Sequence, residues 1–194
     1  MRSAGQRWWY SEVMMVRLEL PYSGDELEKI NAGDTVSISG TLYVGRDQVH
    51  MRLYDAIMKG EKLPFDFEGN GIYYMGPSPA AEGQVMGSCG PTTSARMDPF
   101  SPLLVEKGLR LMVGTGPRKP PVLDAVRKYH GLYLQAFGGC GALYSSCITS
   151  CETVAYPELG PEALLRLTVK DFPAIAVADC RGYVLTGEGI KLIF

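Results

Sequence analysis

Apolar and polar residues alternate along the first well-patterned segment of the chain. In residues 35–44, Val36 and Ile38 alternate with serines, which is the period of a half-buried strand. In the next segment, residues 46–58, apolar residues recur at i, i+4, i+7 and i+8, the stripe of an amphipathic helix. The pattern therefore predicts a strand that passes directly into a helix near Arg46.

The rest of the chain continues this alternation of strands and helices. Further strands are predicted at 71–75, 109–113, 132–137, 154–156 and 174–178, and helices at 26–30, 92–97, 122–129, 138–148 and 162–165. The segment 76–90 is rich in Gly, Pro, Ser and Ala, and a long irregular loop inside a domain is usually functional. The predicted fold class is an α/β layered domain.

Length and composition are those of one globular domain. The chain has 194 residues, of which 46% are hydrophobic and 21% charged. Residues 1–17 are predicted to form an N-terminal extension and residues 18–194 a single domain. The sequence contains no apolar run of about 18 residues and no convincing secretion signal, so we expect a soluble, cytoplasmic protein without a membrane span. A net charge of −2 without a basic stripe argues against nucleic-acid binding.

The five cysteines do not form a pattern that binds metal. Their number is odd and none lies in a CxxC pair, which favours reduced thiols and predicts no metal site in this chain. Cys147 and Cys151 have helical i, i+4 spacing but no histidine nearby. We interpret this pair as small buried side chains.

The most informative segment is 87–97, which reads Gly-Ser-Cys-Gly-Pro-Thr-Thr-Ser-Ala-Arg-Met. Glycines and hydroxyl side chains at the start of a helix are suited to bind an anion. Thr92 and Arg96 are four residues apart, so on a helix they share a face and could hold a carboxylate together. The equally weighted alternative is an ordinary helix cap followed by a surface arginine.

A second candidate segment begins at Arg46, at the junction of the predicted strand and helix. A side chain there can point into the crevice where open α/β sheets usually bind ligands. Asp47 is interpreted as a helix cap. His50 is a candidate acid or base, although a lone histidine on a helix is more often a hydrogen-bonded structural residue.

Two glycine-rich segments follow later strands. Residues 114–118, Gly-Thr-Gly-Pro-Arg, have a shape suited to anions but also read as a plain turn. Residues 138–142, Gly-Gly-Cys-Gly-Ala, favour close packing slightly over a ligand site. Neither has the spacing of a P-loop or of a dinucleotide-binding motif.

Taken in order, these segments resemble the β subunit, or the C-terminal domain, of class I fumarases and L(+)-tartrate dehydratases. The resemblance covers about residues 18–183. Its landmarks are Ala-Gly-Asp at 32–34, Gly-Thr-Leu-Tyr at 40–43, Arg-Asp at 46–47 with His50, Leu-Pro at 63–64, Ile-Tyr-Tyr-Met-Gly-Pro at 72–77, Gly-Pro-Thr-Thr-Ser-Ala-Arg-Met-Asp at 90–98, Gly-Gly at 138–139, Glu-Leu-Gly at 158–160 and Asp-Phe-Pro at 171–173.

The resemblance implies a swivelling β/β/α domain in an iron–sulfur hydro-lyase. The expected reaction is the reversible hydration of a C4 dicarboxylate: fumarate to malate, a step of the tricarboxylic acid cycle, is favoured, and tartrate dehydration is the other candidate. In that family a [4Fe-4S] cluster acts as Lewis acid. The expectation is that a partner α subunit holds this cluster through its own cysteines, in a heterotetramer, with self-association as the alternative for the isolated chain.

The resemblance also assigns roles to individual residues. Thr92 matches the proposed catalytic base, while Arg46 and Arg96 match arginines that bind substrate, with Thr93 placed beside them. Thr115 and Arg118 are placed with the substrate-binding residues. The family usually has Gly-Lys-Gly where this chain has Thr115, so either Arg118 or Lys119 supplies the missing charge or the substrate differs from fumarate. This departure also leaves open a non-catalytic binding or regulatory subunit with the same fold.

Overall fold

The structure is a computed structural model and describes residues 15–192. Within that range the strands are β1 (Met15–Leu20), β2 (Thr35–Val44), β3 (Gly71–Tyr73), β4 (Leu111–Gly114), β5 (Leu132–Gln135), β6 (Ile148–Ala155), β7 (Leu164–Ala178), β8 (Tyr183–Thr186) and β9 (Gly189–Leu192). The α-helices are α1 (Asp47–Lys59), α2 (Ser101–Glu106), α3 (Pro120–Lys128) and α4 (Gly141–Ser146), and 3-10 helices span Glu26–Lys29, Ser94–Met97 and Pro157–Glu162.

A single strand closes the sheet into a barrel-like ring. Strands β1 to β5 run parallel to one another in the order of the chain. Strand β7 then runs antiparallel and pairs with both β5 and β2, so the sheet returns on itself. Because helices connect β2 to β3 and β4 to β5, they cover the outside of this ring, as parallel strands require.

The three central parallel strands, β3 to β5, are buried on both faces. In β4, Leu111 and Val113 point into the core inside the ring, while Met112 between them packs into a second core beneath the helices. Strand β5 repeats this with Leu132 and Leu134 inside and Tyr133 outside. Burial on both faces explains why these short strands read in the sequence as continuous apolar runs.

Most predicted elements of the first two thirds are confirmed, and the mixed α/β class is confirmed with them. The predicted strand 35–44 has the observed bounds of β2, and the predicted helix 46–58 is α1 within one residue at each end. The helix predicted at 162–165 is wrong, because β7 already begins at Leu164. Strand β7 is also much longer than the predicted 174–178, and the β8–β9 hairpin was not predicted.

The predicted N-terminal extension falls mostly on residues 1–14, which lie outside the described residues. Strand β1 begins at Met15, three residues before the predicted domain boundary, and pairs with the start of β2. Across residues 15–192, none of the helices combines the length and the apolar character that crossing a bilayer demands.

Candidate functional site

The candidate site lies where the carboxyl ends of the parallel strands meet. Arg46 follows β2, Gly76 comes shortly after β3, and Thr115 follows β4. Because neighbouring parallel strands end at the same edge, residues distant in sequence converge there. The segment that carries Thr92 joins this edge through an isolated bridge between Thr93 and Thr115.

Arg46 lies at the N-terminal boundary of α1 and is held from two sides. Its guanidinium makes an ion pair with Glu162, and the two side chains are 22% and 30% exposed. On the other side it packs on Gly76, where an added Cβ would overlap the guanidinium. Its Nε is buried and has no hydrogen-bond partner among the described residues. Arg46 therefore has a fixed orientation and an unused donor.

Arg96 is bound to the first residue of the same helix. Its Nε donates to Asp47 Oδ1 at 3.0 Å, and its Nη2 lies 2.6 Å from Asp47 Oδ2. Its Nη1 also donates to Thr92 Oγ1 at 3.4 Å. Thr92 and Arg96, which the sequence placed on one face of a helix, therefore lie side by side, and their joint hold on a carboxylate stays a prediction. Since Arg46 and Asp47 are consecutive, the two arginines and the threonine form one cluster.

The cluster is not built on the helix that the sequence predicted. Only a 3-10 helix, Ser94–Met97, forms there, and Thr92 precedes it. Two backbone N–H groups that were expected to face an anion are already used: Thr92 donates to the Tyr74 carbonyl at 2.8 Å and Ser94 to the Thr115 carbonyl at 2.9 Å. Side chains, rather than a helix N-terminus, are therefore the groups available to an anion.

Thr115 is fixed next to the cluster by buried hydroxyl groups. Its backbone N–H donates to Ser94 Oγ at 2.9 Å, and Tyr133 lies 2.9 Å from the same oxygen. Ser94 is fully buried, and an added Cβ at Gly114 would overlap its hydroxyl. Thr115 is half-buried and Thr93 is exposed, so both hydroxyl side chains lie at the rim of the cluster.

The structure does not bring Arg118 to this cluster but buries it in an ion pair with Asp98. Its side chain is 0% exposed and its partner Asp98 is 3% exposed. Its Nε donates to Asp98 Oδ1 at 2.7 Å and its Nη2 to Ser101 Oγ at 2.7 Å. The guanidinium also lies over the rings of Tyr74 and Tyr133. These contacts give Arg118 a structural role, and its predicted contact with substrate stays a prediction. Lys119 donates its backbone N–H to the same aspartate.

His50 lies beneath the cluster in α1. Its Nδ1 is 2.9 Å from the Arg46 carbonyl, and because a carbonyl only accepts, Nδ1 carries the proton. Its Nε2 is buried without a partner in the described part of the chain, and its ring meets the edge of Tyr74. Burial lowers the pKa of His50 to about 4, so the ring is neutral at neutral pH. This placement favours the structural interpretation.

The loop 76–90 is fixed to α4. Cys89 donates its backbone N–H to the Gly141 carbonyl at 3.1 Å, and Ser145 Oγ donates to the Met86 carbonyl at 2.8 Å. Tyr73 adds a third contact from the core, since its hydroxyl donates to the Cys89 carbonyl at 2.6 Å. An added Cβ at Gly141 would overlap Ser88, which agrees with close packing at that position, whereas an added Cβ at Gly138 or Gly139 would meet no atom within 4 Å.

The cysteines are not arranged to hold a metal. Among residues 15–192, three or more His, Cys, Asp or Glu side chains do not come together in a group that could bind an ion. Cys147 and Cys151 are half-buried and pack against the core inside the ring. Burial raises the pKa of both thiols, which keeps them protonated at neutral pH.

Sequence reasoning missed three residues of the cluster. Asp47 was read only as a cap, whereas it is the carboxylate partner of Arg96. Glu162 was placed in a helix that does not form, and nothing in its local pattern indicates a contact with residue 46. Gly76 did carry a signal, since it follows a strand and precedes a proline, but its contact with a side chain depends on the tertiary structure.

Comparison with known proteins assigns the chain to a family. Residues 3–187 match the family model described as Fumarase C-terminus. The chain is 38% identical over 186 residues to the aerobic class I fumarate hydratase of Escherichia coli K12, a match that covers 94% of this chain and 33% of that protein. The chain thus spans about a third of the length of the class I fumarate hydratases that it matches.

One relative has nearly the same length as this chain. It is the putative L(+)-tartrate dehydratase subunit beta of Methanocaldococcus jannaschii, 34% identical over 175 residues, with 87% of this chain and 90% of that protein covered. The fumarate hydratase 2 of Leishmania major is 38% identical over 159 residues, covering 81% of this chain and 28% of that protein. The chain belongs to the fumarase C-terminus family.

Proposed function

We propose that this chain is the β-type component of a hydro-lyase that adds water to, or removes it from, a C4 dicarboxylate. Fumarate to malate is the favoured reaction and tartrate dehydration the other candidate, in line with the names of the relatives. The observation that carries the proposal is the cluster of two arginines and one threonine at the carboxyl edge of the sheet. A dianion requires such fixed cations.

Arg96 is suited to hold a substrate carboxylate. Its Nε already donates to one oxygen of the Asp47 carboxylate and its Nη2 lies 2.6 Å from the other, so the edge that arginine uses for carboxylate ligands faces a carboxylate here. Side chains of Arg96 and Asp47 are 49% and 26% exposed, so this contact is open to exchange with a ligand. Negative charge that develops on the carboxylate during proton removal would be stabilised by the same donors.

Thr92 is the proposed proton-transfer residue. Its hydroxyl lies 3.4 Å from Arg96 Nη1, so a positive charge is next to the oxygen that has to accept a proton. A cation at that distance stabilises a negatively charged oxygen over a neutral one. The backbone of Thr92 is fixed by its hydrogen bond to Tyr74, which keeps the hydroxyl in place.

The partner and the cofactor are part of the proposal. We place the [4Fe-4S] cluster in an α subunit, because the described residues of this chain offer no ligand group for it. When bound there, the cluster would supply a Lewis acid, while this chain supplies the cations that orient the substrate. The swivelling β/β/α arrangement, the heterotetramer and the cytoplasmic location are proposed on the resemblance to the family.

The direct test is reconstitution with and without an α subunit. The purified chain, treated anaerobically with iron and sulfide, is expected to bind no stable [4Fe-4S] cluster and to leave fumarate and L(+)-tartrate unchanged. Co-expression with a cysteine-bearing α subunit should give a complex on size exclusion and restore turnover. A loaded complex that converts neither acid would favour the alternative of a non-catalytic subunit and refute the proposal.

Two variants in the assembled complex then test the residue roles. Arg96→Lys keeps the charge but loses the planar fork, and the loss of a charge-assisted contact of about 1.5–3 kcal/mol lowers kcat/KM by roughly ten- to a hundredfold. Thr92→Val should lower kcat more than it raises KM, since it removes a proton-transfer group. Near-normal kcat/KM for both variants would mean that the active site lies elsewhere.

A further inference from the structure

The two arginines of the cluster are both occupied by carboxylates of the chain itself. Arg96 binds Asp47, which is its close neighbour across the cluster, but Arg46 binds Glu162 from a distant segment. We propose that Glu162 is a place-holding carboxylate: it occupies Arg46 in the absence of substrate and is displaced by one carboxylate of the ligand. This inference rests on the proposed function, since it assumes that Arg46 receives a carboxylate.

The exposure of this ion pair distinguishes it from a structural one. The Arg118–Asp98 pair is almost completely buried, and its groups are held by further hydrogen bonds on several sides. The Arg46–Glu162 pair is 22% and 30% exposed. A pair that remains in contact with water is weak, because solvent competes for both charges, so a second carboxylate can replace the first at low cost.

Arg46 is also better prepared for a ligand than its present contact requires. Its guanidinium is fixed against Gly76, and its buried Nε has no acceptor within residues 15–192. A buried donor without a partner is unfavourable, so a ligand that supplies an acceptor gains that energy on binding. Glu162 contacts the guanidinium through Nη2, which lies on the same edge as Nε, so a carboxylate bound at this edge would take the place of Glu162.

The segment that carries Glu162 is irregular and lies beside open space. It belongs to the 3-10 helix Pro157–Glu162, which is interrupted at Gly160 by a non-helical conformation with φ of 55°. A cleft of about 280 Å³ lies between this segment and the loop after β3, lined by Pro77, Ser78, Pro79, Gly160 and Pro161 among others. Pro77 follows Gly76 and Pro161 precedes Glu162, so the cleft is lined by chain neighbours of both sides of the ion pair.

The chain supplies a matched control four residues earlier. Glu158 lies on the same 3-10 helix and makes an ion pair with Arg52 of α1, the same helix that begins beside Arg46. Glu158→Gln and Glu162→Gln each remove one negative charge and one ion pair between the same two elements. Any difference between the two variants therefore reports on Arg46 and not on net charge or on the attachment of the segment.

The experiment measures binding of succinate, a saturated C4 dicarboxylate, to the full chain and to the assembled complex by calorimetry. Glu162→Gln is expected to bind succinate about two- to fivefold more tightly than the wild type, which is the upper part of the range that a partly exposed ion pair covers. Glu158→Gln should bind like the wild type. In an Arg46→Met background, the gain from Glu162→Gln should disappear.

Each outcome decides the inference separately from the proposed function. Equal or weaker binding by Glu162→Gln, a gain that persists without Arg46, or no succinate binding by wild type and variants alike would overturn the place-holder role. Thermal unfolding of each variant checks that the fold is retained. If the binding order holds but the loaded complex converts neither fumarate nor tartrate, the proposed function fails while the place-holder role stands.

Discussion

Replacing Arg118 with methionine should destabilise the fold strongly. The guanidinium donates to Asp98 at 2.7 Å and to Ser101 at 2.7 Å, and neither member of the ion pair is more than 3% exposed. Without Arg118, the Asp98 carboxylate keeps the backbone N–H of Lys119 but loses its countercharge. Breaking a buried pair by removing one partner costs about 3–5 kcal/mol.

That cost is large against the stability of a typical domain. Folded domains are stable by about 5–15 kcal/mol, so the variant would lose a substantial part of the total. For a domain of this size, about 2–4 °C of Tm is lost per kcal/mol, which gives a decrease of about 6–20 °C. Urea unfolding followed by circular dichroism measures the free-energy change, and a thermal scan measures the Tm.

The double variant Arg118→Met with Asp98→Asn is the control for this reasoning. It removes the unpaired charge while keeping a side chain of similar shape, so it should recover part of the lost stability. If Arg118→Met lowers the free energy of unfolding by less than about 1 kcal/mol, the side chain is not the buried structural residue described here. A double variant that is less stable than either single one would also contradict the argument.

Three further predictions concern the surroundings of the cluster. His50→Leu should flatten the pH dependence of stability. The folded-state pKa of His50, about 4, lies below the ordinary value of 6.5, so the stability that the neutral histidine contributes is present above about pH 6.5 and is lost as pH falls towards 4. Chemical unfolding at several pH values measures this change. Gly76→Ala should weaken succinate binding, because its Cβ displaces the Arg46 guanidinium. The control is Gly138→Ala, where a Cβ meets no atom within 4 Å, and it should bind like the wild type in the same titration. Gly114→Ala should lower the Tm of the chain in a thermal scan, since its Cβ overlaps a buried hydroxyl and the ring of a neighbouring tyrosine.

Helices and strands whose buried side chains recur at a regular spacing could be predicted from the sequence. Strand β2 and helix α1 were predicted with nearly their observed bounds, because every second residue of β2 is apolar and most of these pack into one core, and because α1 presents one apolar stripe to the sheet. The order of the landmarks along the chain also indicated the family, and the family model confirms it. Local periodicity and ordered motifs depend on neighbours in the chain, so they are visible in the sequence.

The closure of the sheet and the pairing of charged side chains could not be predicted from the sequence, because both depend on contacts between distant segments. Strand β7 pairs with β2 and β5, both distant in sequence, and this pairing placed a strand where local propensity predicted a helix at 162–165. The same sequence signal, an arginine near a glycine loop, gave a partly exposed Arg46 beside Glu162 and a buried Arg118 beside Asp98. Exposure and countercharge depend on residues far away in the chain, so the local pattern could not separate a binding arginine from a structural one.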